Sequence, residues 1–211
     1  MSLGILKLGD TSFQITDASL ELFVEGELLF VGIQVTTLAR PVEVGDLLPS
    51  WAPELVIDRL FSMRQGARAF SEIGLRRTSW GASEAESPGS IRIYESEMIE
   101  RGDVALEIRQ DRQTLRLHGA ADLLCGEGFD RDVQVELSSQ LSKVVFFAGS
   151  LPESNARAEL GLFMEHADFV FSESDGISQL ELTLAGYPAQ SSVAPEVVQR
   201  TYLHKIDDDS D

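Results

Sequence analysis

The chain has 211 residues, 43% hydrophobic and 25% charged, ordinary proportions for a globular protein with a sizeable core and not those of a disordered one. Its net charge of −18 repels phosphate backbones and anionic lipid, which argues against nucleic acid or a membrane as partner. No stretch approaches the ~18 apolar residues of a membrane span, "MSLGILKLGD" has too short an apolar run for a signal peptide, and the single cysteine, Cys125, admits no intramolecular disulfide, so a cytoplasmic setting is the expectation.

The first predicted strand is Ser12–Thr16. The stretch "SLELFVEGELLFVGI" then reads as a hairpin turning at Glu25-Gly26, with Leu22 opposite Leu29, Leu20 opposite Val31 and Ala18 opposite Ile33. Its other face sets Phe23 opposite Leu28, with Phe30 one step along. Three large apolar side chains on an outward face need a cover, or else they form a patch for a partner or a second copy of the chain. Next comes "PELVIDRLFSMRQG". Pro53 suits a first helical turn and Gly66 a C-terminal cap. Leu55, Val56, Ile57, Leu60, Phe61 and Met63 would nearly surround a helix. A buried helix over about 53–65, laid across the aromatic face, is therefore expected.

Arg64, Arg68, Arg76 and Arg77 have only Glu72 among them. They suit ion pairs with the acidic remainder of the chain, or the grip of an anionic ligand. The segment "RTSWGASEAESPGS", 77–90, reads as a long loop and as the subdomain boundary of an otherwise single β-rich domain, 1–211. Charge changes there: 50–89 has five acids and five bases, whereas 90–211 has 23 acids and ten bases.

Ser90–Tyr94 reads as a strand. The tripeptide Arg101-Gly102-Asp103 lies between strand candidates, where Gly and Asp are ordinary turn residues, and carries no adhesion reading. "VALEIRQDRQTLRLHG" gives a second hairpin turning at Asp111-Arg112, with Ile108 opposite Leu115, Leu106 opposite Leu117 and Glu107 opposite Arg116. The loop "LLCGEGFDRD" crowds Glu127, Asp130 and Asp132 together. This is an acidic loop whose spacing fits no EF-hand. Strands follow at Asp132–Ser138 and Lys143–Phe147, the latter apolar on both faces and so central. "ADFVFSESDGISQLELTLAG" forms the third hairpin, turning at Asp175-Gly176, with Phe171 opposite Leu180 and Val170 opposite Glu181. A short amphipathic helix over about 195–205 closes the chain.

Chemistry is sparsely marked. His118, His166 and His204 are too far apart in sequence to suggest a chelating pair, so no metal is assigned. No Gly-x-Ser-x-Gly elbow or phosphate loop is present, and Gly126-Glu127-Gly128 lacks the third glycine of a dinucleotide fingerprint. No cofactor is expected. Among 35 acids no glycosidase pair can be chosen. The expected fold is mainly β, an antiparallel meander or hairpin sandwich or a partly open barrel, with the two helices above. The expected function is a non-catalytic acidic interaction module of inhibitor, adaptor or assembly type, engaging a basic protein. The alternatives are a β-barrel holding a small apolar ligand, and a carboxylate- or metal-dependent hydrolase.

Overall fold

A computed structural model describes residues 2–43, 48–81, 87–93, 96–109, 113–123 and 132–184. The strands are β1 (Gly4–Leu8), β2 (Thr11–Glu25), β3 (Leu28–Thr37), β4 (Arg40–Pro41), β5 (Ser50–Trp51), β6 (Glu54–Arg64), β7 (Gly74–Trp80), β8 (Gly89–Arg92), β9 (Ser96–Ile108), β10 (Gln113–Ala121), β11 (Val133–Gln140), β12 (Lys143–Phe147), β13 (Val170–Ser174) and β14 (Ile177–Thr183). A 3-10 turn spans Phe70–Ile73, and one helix, α1, spans Glu153–Gly161. The mainly β expectation holds.

Eight strands in the order β1-β11-β10-β9-β8-β6-β3-β2 close into an antiparallel barrel through the β1–β2 pairing. β2 is long enough to serve two structures. Thr11–Gln14 pairs with β1, and Ser19–Leu22 pairs in parallel with β12. β12 in turn carries β14, and β14 carries β13, so a three-stranded wing grows from the barrel wall. β9 is shared likewise, with β8 at one end and β7 at the other.

Two-residue alternation fills the barrel. Leu6, Phe13, Leu20, Val31, Ile33, Leu106, Leu115, Leu117 and Val135 are all 0% exposed, so no water-sized sphere touches any of them. One continuous core runs from these residues to Val144, Phe146 and Leu180 of the wing and to Ala156 and Leu160 of α1. Lys143–Phe147 is indeed an inner strand, flanked by β2 and β14, although Phe147 at its end is 37% exposed.

The expected helix over 53–65 is strand β6 instead. Its burial alternates through Leu55 and Ile57, breaks at the exposed pair Asp58-Arg59, and resumes at Leu60. Arg59 sits at φ 52, and the pairing with β3 shifts between Val31↔Phe61 and Ile33↔Ile57. This bulge adds two residues and breaks the period of two, which is why the segment resembled an all-round apolar helix. Gly32 lies opposite it, where a Cβ would stand 2.9 Å from the Ile57 carbonyl oxygen. Two hairpin registers also move. Leu22 faces Val31 and Leu20 faces Ile33, because the turn is Gly26-Glu27. Leu115 faces Leu106, and Arg116 faces Ala105 rather than Glu107. Both slips are of two residues, so every side chain keeps its face. The third hairpin has the expected register, with Val170↔Glu181 and Phe171↔Leu180.

Part of 77–90 is not loop. Residues 77–80 complete β7, and the Trp80 indole N–H donates to the Ile99 carbonyl at 2.8 Å. Arg101-Gly102-Asp103 lies inside β9 rather than in a turn. The expected helix over 195–205 falls outside the described residues. α1 itself was not expected from the sequence.

Candidate functional site

The outward face of the first hairpin is where Phe23, Leu28 and Phe30 were expected, but no helix among the described residues covers it. All three are half-buried. Phe23 and Phe30 pair across the strands with ring centroids 5.6 Å apart and planes at 18°. The cover is Arg59, held by the bulge with its guanidinium 4.9 Å from the Phe30 ring centre and 2.5 Å from Glu25 Oε1. Phe147 extends the aromatic strip onto β12. Between β7 and β6, Arg76 lies 5.4 Å over the Phe61 ring. Of the four arginines in 64–77, Arg64, Arg76 and Arg77 are exposed, and Arg68 donates to the Gly66 and Arg64 carbonyls. Among the described residues none of the four makes an ion pair.

Glu127 and Asp130 of the acidic loop lie outside the described residues, as do Cys125 and His204. Asp132 is described and belongs to the frame. It sits at φ 59 and pairs with Arg101 at 2.6 Å, and its amide donates to Asp122 Oδ1 at 2.6 Å. His118 is exposed on β10, and His166 lies in irregular chain before β13. No group of three His, Cys, Asp or Glu side chains converges among the described residues. No described helix is long and apolar enough to cross a membrane.

A surface missed in the sequence is the wing with its helix. From Glu153 to Glu181 the chain carries Glu153, Glu159, Glu165, Asp168, Glu173, Asp175 and Glu181 against one base, Arg157. That arginine is already engaged: Nε donates to Glu153 at 2.8 Å and the guanidinium bonds the Phe169 carbonyl at 3.1 Å. Of the seven acids only Glu153 has an ion-pair partner among the described residues. Large apolar side chains lie exposed among them, Val170 at 68% and Ile177 at 42%. The signal was present in the run of acids, but only folding collects the helix, the hairpin tip and the strand edge into one body.

Where β13 begins, a cleft of about 290 Å³ opens between the wing and the barrel. Phe70, Phe169 and Leu182 supply apolar lining, with Glu165, Asp168 and Arg109 among the polar groups. Arg109 is held by Glu107 at 2.7 Å. The volume falls just below the roughly 300–1,000 Å³ of small-molecule pockets and suits a single side chain. Comparison with protein families, curated proteins and solved structures returns no match for this chain.

Proposed function

We propose that this protein is a non-catalytic interaction module, an inhibitor, adaptor or assembly component, which engages a basic protein through the acidic wing. The observation that carries this is the charge of the wing from Glu153 to Glu181: seven carboxylates against one guanidinium that is already engaged, interleaved with exposed Val170 and Ile177. Negative charge around exposed apolar side chains steers a basic surface in and then buries area against it. Packed side chains in the barrel weigh against an apolar ligand inside it. A cytoplasmic location goes with this reading, since a lone cysteine makes no internal disulfide and the fold does not depend on oxidation.

The test is binding of a synthetic peptide alternating lysine and valine, with a glutamate–valine peptide as control, at low and high salt. The expected result is lysine-selective binding that weakens as salt screens the exposed carboxylates. It should also weaken when Glu159, Glu173 and Glu181 are changed together to Gln. Binding indifferent to salt and to those changes would overturn the proposal.

A further inference from the structure

We infer that the open edge of β13 takes up a lysine- or arginine-bearing extended segment of the partner as an additional strand of the wing. This rests on the reading of the wing as the surface for a basic protein and adds how that protein is held.

β13 pairs with β14 alone among the described residues. The turn Asp175-Gly176 has φ of 53° and 76°, the two-residue kind in which Ser174 and Ile177 form the first hydrogen-bonded pair. Alternation then turns the N–H and C=O of Phe171 and Glu173 away from β14, toward the open side. Among the described residues no strand other than β14 pairs with β13, and no loop or turn backbone bond reaches those groups. The edge is also held in shape, because Arg157 clamps the Phe169 carbonyl at 3.1 Å just before the strand starts.

Charge selects the occupant. An added strand would lay alternate side chains beside Glu173, with Asp168 and Glu165 at one end and Asp175 at the other. Cationic residues at those positions complement the edge, and opposite charges across strands stabilise the pairing. At the Asp168 end, a lysine or arginine stem can lie against Phe70 and Leu182 in the cleft while its charge meets the two carboxylates. A second copy of this chain pairing edge to edge would instead set carboxylates against carboxylates, so self-association along β13 is disfavoured.

The experiment follows amide hydrogen exchange of the full chain with and without the lysine–valine peptide, alongside its affinity for the wild type and for Glu173→Pro. Proline removes the outward N–H, and an edge strand tolerates it where that group faces solvent. The expected result is slower exchange at Phe171 and Glu173 with the basic peptide only, and affinity about tenfold weaker for Glu173→Pro. Unchanged circular dichroism and an unchanged β14 exchange pattern in that variant show that its hairpin is intact. A second variant, Glu173→Lys, keeps the N–H and should weaken binding through charge alone. Equal binding of the peptide to wild type and Glu173→Pro, with that hairpin intact, overturns the edge and leaves the acidic wing standing. No binding to the wild type at low salt overturns both. Slow exchange at both amides without peptide, relieved by deleting 185–211, overturns the edge by showing it occupied by the chain itself.

Discussion

Replacing Gly102 by alanine tests the packing where β7, β8 and β9 meet. A Cβ there would stand 2.4 and 2.6 Å from ring atoms of Trp80, closer than any relaxed contact, and the Gly89 backbone flanks the same ring. Trp80 is 6% exposed and its indole N–H is used by the Ile99 carbonyl, so the ring cannot move without losing both burial and the bond. A strained fit costs about 1–3 kcal/mol. Full expulsion of the ring approaches the roughly 3–5 kcal/mol of deleting a buried aromatic. The Ile99 carbonyl still accepts the Ser87 hydroxyl at 2.5 Å, so no buried acceptor is orphaned and nothing is added for one. The expected loss for Gly102→Ala is therefore about 3 kcal/mol, a sizeable share of the roughly 5–15 kcal/mol of a typical domain. Urea unfolding followed by tryptophan emission reads both the loss and a red shift from Trp80. Trp80→Leu supplies the control: in that background the same glycine substitution should cost under about 1 kcal/mol, because the clashing atoms are gone. A full-sized loss in both backgrounds, or none in the wild type, would refute the reasoning.

Two further predictions concern the frame. Arg59→Gly should leave the protein about 1 kcal/mol more stable than Arg59→Ala in urea unfolding, because both lose the contacts to Phe30 and Glu25 while only glycine accepts φ 52 without strain. The Ser142 hydroxyl donates to Asp17 at 2.5 Å and accepts from the Ala18 amide at 3.3 Å, joining the start of β12 to β2. Ser142→Ala should cost about 1–3 kcal/mol in urea unfolding and speed amide exchange at Ala18.

The sequence carried the strands and their faces better than their partners. Asp175-Gly176 announced its turn because both positions accept positive φ, and there the register came out correct. At Gly26 the turn began one residue later than the alternation suggested. Either choice buries the same leucines, so hydrophobic pattern alone does not decide between registers two residues apart. Between Ile108 and Gln113 a four-residue connection replaced a tight turn, and the expected Glu107–Arg116 pair went with it. β6 was misread because the bulge at Asp58-Arg59 disguises a strand as a helix. α1 was missed because only Ala156 and Leu160 are buried in it, too short a stripe to stand out. Of the site, the aromatic strip was legible as an unsatisfied face, but its cover depends on a left-handed arginine that no local pattern shows. The strands of the wing were legible, but its attachment to the barrel was not: β12 joins β2 in parallel, a pairing between residues more than a hundred positions apart.

The barrel's closing seam bears on how the molecule comes into being. Gly4 pairs with Ser139 and Leu8 with Val135, so the earliest stave of the cylinder to be synthesised waits for its last. At about 5–20 residues per second that interval is roughly 6–25 s. Throughout it β1 has only β2 beside it, with its other border bare in a crowded cell. Gly4 belongs to this delay, since a methyl group there would strike the Ser138 carbonyl and bar the late-arriving stave. Alanine at that position should therefore slow maturation of nascent chains and leave them prey to proteases during synthesis.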